Sequence, residues 1–143
     1  MATQQVHSEW VQYSSQDGTL IRGYFSHPTA PGTYPGIVVI MEAFGLVEHI
    51  MDVARRFTAQ GFVTLAPDLY TREGTPDSTN LDQVIQMMTG LKDSQAVADL
   101  DGAATYLKNL DFCTGKIGSI GWCSGGRHTL LFACNTTLLD AAI

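Results

Sequence analysis

The first segments of the chain with strand character are residues 6–13 and 19–26, and Asp17–Gly18 between them is a strong hairpin signal. From His27 to Pro35 three prolines and a glycine predict a loop. The next run, GIVVIM at 36–41, is mostly β-branched and apolar without alternation, as expected of a strand covered on both faces. Over 48–60 the period changes. Ile50, Val53, Ala54 and Phe57 share one helical face, Asp52, Arg55, Arg56 and Gln60 lie elsewhere, and Gly61 supplies the stop. FVTLA at 62–66 predicts another buried strand, ended by Pro67. A short helix is expected over 81–90, and a clearer one over 94–110 with Val97, Leu100, Ala104 and Leu107 in register. KIGSIG at 116–121 predicts a strand, 124–135 a helix, and LDAAI the opening of one more strand.

An opening hairpin followed by alternating strands and helices predicts an α/β domain. Its sheet should be mostly parallel, with an N-terminal antiparallel hairpin and helices on both faces. No repeat or low-complexity linker divides the chain, so residues 1–143 are expected to form one domain. Composition narrows the function. With 45% hydrophobic and 15% charged residues the chain is globular in type, and its formal net charge of −6 argues against a nucleic-acid partner. Three widely spaced cysteines form neither a disulfide framework nor a zinc pattern and suit a reducing, cytoplasmic setting. The N-terminus shows no signal-peptide pattern, and the longest apolar run falls well short of the ~20 residues of a membrane span, so no membrane partner is expected.

The chemistry concentrates in GWCSGG at 121–126, at a predicted strand-to-helix junction. A G-x-nucleophile-x-G turn needs its glycines because side chains there would collide with the adjoining strand and helix. In that register the central residue is Cys123, between Gly121 and Gly125; centring on Ser124 would put Trp122 in the first glycine position. The helix N-terminus favours a thiolate, and the backbone N–H of Ser124 would point toward a developing oxyanion. The competing account makes Cys123 one more buried cysteine, as Cys113 and Cys134 are expected to be. A phosphate-binding loop is excluded because Arg127 and His128, not Lys and Ser/Thr, follow Gly126. A phosphatase-type Cys-x5-Arg loop is excluded by Thr129.

Three stretches, IVVIMEAFGL (37–46), HIMDVARRFTAQGFVTLAPDLYTR (49–72) and KIGSIGWCSGG (116–126), resemble the dienelactone hydrolase (carboxymethylenebutenolidase) family of the α/β-hydrolase fold, in the family's order and at its spacing. The resemblance runs over essentially the whole chain. It implies a hydrolase of small esters or lactones, acting through a cysteine nucleophile and an acyl-enzyme, with neither metal nor organic cofactor.

Glu42 directly follows the third strand, and a carboxylate there can take a thiol proton; the alternative is an exposed loop acid. The resemblance implies that Glu42 pairs with the resting thiol and helps release the thiolate when substrate binds. The N–H of Ala43 would be the second oxyanion donor beside that of Ser124. Arg72 ends APDLYTR just past a strand's C-terminal end, where open α/β sheets bind ligands, and a guanidinium there can grip a carboxylate bidentately. The resemblance implies that role for a carboxylated substrate; the alternative is an arginine paired with Glu73 or Asp68. Asp68 and Tyr70 are expected to fix that loop. His49 is expected to orient a loop or face solvent. His128, about 140° around the helix from Cys123 and more than a turn away, should not reach the thiol. His7 and His27 are expected at the surface, and Trp10 and Trp122 in the core or a pocket wall.

In this fold the nucleophile precedes the acid and then the histidine. The 20 residues after Cys123 hold one acid, Asp140, and no histidine but His128. Asp140 opens the next strand and is not assigned to the triad. The triad Asp and His, and any second substrate-gripping arginine, are therefore expected outside this sequence, and the domain is expected to be incomplete at its C-terminus, leaving 116–121 as an open edge. Two other readings remain. In one, the chain is a non-catalytic module whose partner chain completes the sheet and triad. In the other, Cys123 is a redox thiol.

Overall fold

The structure, a computed structural model, describes residues 3–143. Strands β1 (Val6–Ser14) and β2 (Leu20–Pro28) form the expected antiparallel hairpin, with Val6 opposite Pro28 and Ser14 opposite Leu20. Its turn is closed by the side chain of Asp17, whose Oδ1 accepts the Thr19 N–H at 2.8 Å, while Gly18 takes the positive φ of 84°. The chain then runs through β3 (Tyr34–Ile40), α1 (Glu48–Ala59), β4 (Val63–Pro67), α2 (Leu81–Gly90), α3 (Asp93–Lys108), β5 (Cys113–Gly121), α4 (Ser124–Asn135) and β6 (Ala141–Ala142). The sheet order is β1-β2-β4-β3-β5-β6; β4, β3, β5 and β6 are mutually parallel, and β2 meets β4 antiparallel.

Helices cover both faces, as the strand pattern predicted. Thr64 of β4 shares a hydrogen bond with Thr58 of α1, and Ile37 of β3 is its partner in register, so these residues face α1. The preceding Gly36 faces the other way. A Cβ there would meet Leu107 of α3 at 3.3 Å, and alternation along a strand puts α1 and α3 on opposite faces. Ser119, paired with Val38, receives the Thr129 hydroxyl at 2.6 Å, which places α4 on the α3 side. Val38, Val39, Ile40, Val63 and Leu65, all fully buried, make β3 and β4 the centre of the core.

Several expectations are corrected, among them the burial of Cys113 and Cys134: Cys113 is half-buried and Cys134 exposed. The loop before β3 is shorter than 27–35, because His27–Pro28 still pair within β2 and Tyr34–Pro35 already belong to β3; Pro28 and Pro35 sit at strand ends, where no central ladder bond is lost, and Pro31 stays in the loop. Trp10 is 45% exposed, not core, with the Arg22 guanidinium 4.5 Å over its ring. The buried stripe of α3 runs through Ala96, Asp99, Leu100, Ala103, Ala104 and Leu107, and Val97 lies at its margin. His27 is half-buried, its ring 5.2 Å from that of Phe112 and 5.5 Å from that of Phe25.

The strand at 116–121 is not the open edge expected of it, because Ala141 and Ala142 of β6 pair with Gly118 and Ser119 beyond it. Asp140 anchors this short strand. Its N–H donates to the Ile117 carbonyl at 2.8 Å, and its carboxylate accepts from Ile117 N–H at 3.0 Å and from Lys116 Nζ at 2.8 Å. The Lys116 ammonium and the Ile117 amide hold that carboxyl below the ordinary carboxylate range.

Candidate active site

Only Trp122 and Cys123 separate the end of β5 from the start of α4. Reversing direction within two residues forces an unusual backbone, and Cys123 takes it, with φ 55° and ψ −124°. Among the described residues it is the one non-glycine with positive φ. A conformation of this kind costs an ordinary residue on the order of 1–3 kcal/mol and persists only where its surroundings enforce it. The flanking glycines are those surroundings. A Cβ on Gly125 would lie 2.6 Å from the Met41 carbonyl oxygen and 2.7 Å from that of Ile40, and a Cβ on Gly121 would overlap the Gly125 carbonyl. Both obstacles are backbone, so neither can be relieved by turning a side chain. The turn is tied by Gly125 N–H to the Trp122 carbonyl at 2.9 Å and by Arg127 N–H to the Cys123 carbonyl at 3.2 Å. Cys123 is exposed, and its side chain does not cap α4. Ser124 opens the helix, where first-turn N–H groups have no intrahelical acceptor.

The register of β3 against β5 brings the acidic segment to the same place. Ile40 is opposite Gly121, so Glu42 and Cys123, each two residues further on, leave neighbouring strands at one level of the sheet. Parallel neighbours lie about 4.8 Å apart. The seat of Gly125 against the Ile40 and Met41 carbonyls shows how closely the N-terminus of α4 adjoins this segment. Glu42 is half-buried. It begins a turn in which Gly45, at φ 89°, donates its N–H to the Glu42 carbonyl at 3.0 Å. Ala43 within the turn is buried, and its carbonyl accepts the Tyr70 hydroxyl at 3.1 Å. Burial pushes the Tyr70 phenol up to about 12, so it stays a donor through the neutral range.

The segment after β4 is a web of satisfied groups. Buried Asp68 receives the Arg22 guanidinium at 2.9 Å and the Tyr70 N–H at 3.1 Å, while Tyr70 reaches Ala43, so both residues fix the loop as expected. Arg72 has partners that the sequence did not suggest. Nη1 donates to Asp99 Oδ2 at 2.7 Å and Nη2 to Asp99 Oδ1 at 3.0 Å, and Nη2 also reaches Asp17 Oδ2 at 2.9 Å. Neither Glu73 nor Asp68 takes part. Asp99 is fully buried, and the hydroxyl of Tyr13 donates to its carbonyl at 3.0 Å. Local spacing does not reveal this pairing, because the two residues lie 27 positions apart on different segments. The available signal was an acid on the apolar stripe Ala96–Leu100–Ala103–Leu107, a position that calls for a buried cation.

The other candidates separate cleanly. His49 is exposed in the first turn of α1. His128 is 5% exposed on the inner side of α4, its Nδ1 has no partner, and burial lowers its proton affinity. Trp122 is 42% exposed and, with Val53, Arg56 and Phe57, borders a cavity of about 440 Å³.

A strand–elbow–helix on this sheet order, with an acidic turn beside it, is the architecture of the α/β hydrolases. An α/β hydrolase from Penicillium, 22% identical over 94% of this chain, superposes with a TM-score of 0.68. Residues 21–143 match the model of the dienelactone hydrolase family, and the chain belongs to that family. A provisionally named carboxymethylenebutenolidase of Methylorubrum extorquens is 37% identical over 93% of this chain and 46% of its own length. The crystal structure of a provisionally assigned dienelactone hydrolase from Klebsiella pneumoniae is 30% identical, with a TM-score of 0.83 over 96% of this chain and 58% of that one. A dienelactone hydrolase-like promiscuous phosphotriesterase from metagenomic libraries is 29% identical, with a TM-score of 0.79 over 94% of this chain and 56% of that one. The chain spans about half the length of the curated relatives it matches.

Proposed function

We propose that this chain carries the nucleophile and the oxyanion-binding half of a hydrolase of small esters or lactones. The observation that carries the reading is the backbone of Cys123: a strained, exposed thiol between two glycines that nothing larger can replace. Fold stability has no use for that arrangement, whereas a nucleophile that substrate must approach does.

In this mechanism Glu42 takes the thiol proton, and Cys123 Sγ attacks the acyl carbon. The carbonyl π pair moves to oxygen, where the N–H groups of Ser124 and Ala43 receive it. Collapse re-forms the carbonyl and breaks the acyl C–O bond, and the leaving alkoxide takes up the proton. In a lactone the alkoxide stays attached to the acyl group. Water then hydrolyses the thioester. That second half needs a general base, and the triad His and Asp are assigned to polypeptide outside this sequence; a missing base typically costs about 10²–10⁴-fold.

The test is single-turnover acylation by p-nitrophenyl acetate. One equivalent of nitrophenolate should appear, with one acetyl group located on Cys123 by peptide mass mapping, and slow turnover thereafter. Cys123→Ala should abolish the burst. A full burst in that variant, or acetylation spread over Cys113 and Cys134, would overturn the assignment.

A further inference from the structure

Arg72 stands where a carboxylate-gripping arginine was expected, but its fork is already closed. Both oxygens of Asp99 are taken bidentately, and Nη2 is shared with Asp17. Asp99 has no exposure to solvent. A substrate carboxylate could win the fork only by expelling Asp99, which would leave a buried carboxylate unpaired, a strongly unfavourable exchange. The other end of the same loop explains what the clamp holds. Glu73 and Gly74 donate their N–H groups to the Tyr70 carbonyl at 3.0 and 2.7 Å, closing a turn from Tyr70 to Gly74 that contains Arg72. The Tyr70 hydroxyl is bonded to the Ala43 carbonyl, one peptide beyond the N–H assigned to the oxyanion.

We propose that Arg72 is a positioning residue, committed to Asp99 and Asp17, that holds Tyr70 against Ala43, and that this half of the site therefore selects acyl groups without a carboxylate. The proposal rests on the reading of Cys123 as the nucleophile. A rigid loop fixes the Ala43 peptide in advance, and small misplacements of an oxyanion donor cost rate steeply. The net charge of −6 acts in the same direction, since it offers an anionic substrate no long-range attraction.

The experiment compares two acyl donors of similar size, p-nitrophenyl butyrate and p-nitrophenyl hemisuccinate, on the full chain, reading the acylation rate constant and the half-saturating concentration for each. Arg72→Met, Asp99→Asn and Tyr70→Phe should each slow acylation at saturation, by about 10- to 100-fold for the first two. The loss should be equal for both esters within about twofold, with little change in half-saturation. Arg72→Met combined with Tyr70→Phe should be no slower than the slower single variant, because both act through one tether. The proposal is overturned if Arg72→Met weakens saturation by hemisuccinate alone, or if Asp99→Asn frees the fork and speeds hemisuccinate. Should Arg72→Met fail to fold, Arg72→Met/Asp99→Leu removes the pair without leaving a buried charge, and the same selectivity comparison decides.

A second readout separates this proposal from the nucleophile assignment. The ratio of iodoacetate to iodoacetamide alkylation at Cys123, site-resolved by mass mapping, needs no acyl transfer. It should be unchanged within about twofold in the double variant; a several-fold fall in the ratio would show Arg72 acting as a free cation. Absence of any acylation burst with an unchanged alkylation ratio would count against the hydrolase reading and leave the clamp standing.

Discussion

Two segments of this chain leave the C-terminal ends of β4 and β5, parallel strands on either side of β3, and they spend their polar groups in opposite ways. After β4, the loop through Arg72 satisfies its groups within the fold. Asp68 is held by Arg22, Tyr70 by Ala43, and Arg72 by Asp99 and Asp17. After β5, the turn through Cys123 accepts a strained backbone and leaves its thiol exposed. The sheet edge where ligands bind in such folds is thus not uniformly reactive. On the proposed reading, one segment is scaffold and the other is the site. The feature that tells them apart is whether the side chain has a partner in the fold, and position along the sheet does not reveal it.

The largest effect expected from disturbing this division falls on the scaffold. Arg72→Met leaves Asp99, fully buried, without its cation, and should destabilise the chain by about 3–5 kcal/mol in urea unfolding. Arg72→Met/Asp99→Leu should recover most of that loss. A cost below about 1 kcal/mol for the single variant would make the pair incidental. On the site side the corresponding weakness is steric. Gly125→Ala drives a Cβ into the Ile40 and Met41 carbonyls and should cost about 1–3 kcal/mol, together with a slower burst, as α4 backs away from the acidic turn.

The sequence made one of these segments far more legible than the other. The helices expected over 81–90 and 124–135 span those residues, and the glycine spacing around Cys123 located the strained turn without coordinates. Glycine spacing is a local signal, because the constraint acts between residues a few positions apart. The Arg72–Asp99 pair is separated by 27 positions and depends on how α3 rotates on the sheet, which periodicity fixes only to within about one residue. The short β6 strand was legible as an apolar start, but its anchoring by Asp140 was not, since that carboxylate works through a backbone N–H and a lysine on β5.

A smaller effect, opposite in sign, tests the strain itself. Cys123→Gly removes the side chain that makes φ 55° costly, so it should abolish acylation and raise stability by roughly 1 kcal/mol. Loss of both activity and stability would mean that the thiol contributes packing, which its exposure contradicts. No such gain is expected from Arg72→Gly, and the pair of variants therefore sharpens the contrast between a site that opposes stability and a scaffold that supplies it.

The smallest effect concerns His128, on the helix that begins at the elbow. It is buried there, and burial lowers its proton affinity first; Arg127 beside it lowers it further, while Asp93 of α3 and the backbone of Ser124 raise it without reversing the shift. Its affinity for a proton is thus lower folded than unfolded, so the unfolded chain binds more protons as the pH drops through the ordinary histidine range near 6.5. Stability should be full above that range and decline below it, with a slope smaller than ~1.4 kcal/mol per pH unit, the limit for one proton. Urea midpoints measured between pH 7.5 and 5 should fall for the native chain and flatten for His128→Phe, with Arg127 and Asp93 unchanged. A midpoint that fell equally in both would place the acid-sensitive group elsewhere, and α4 would then hold the elbow with the same firmness at every pH in that range.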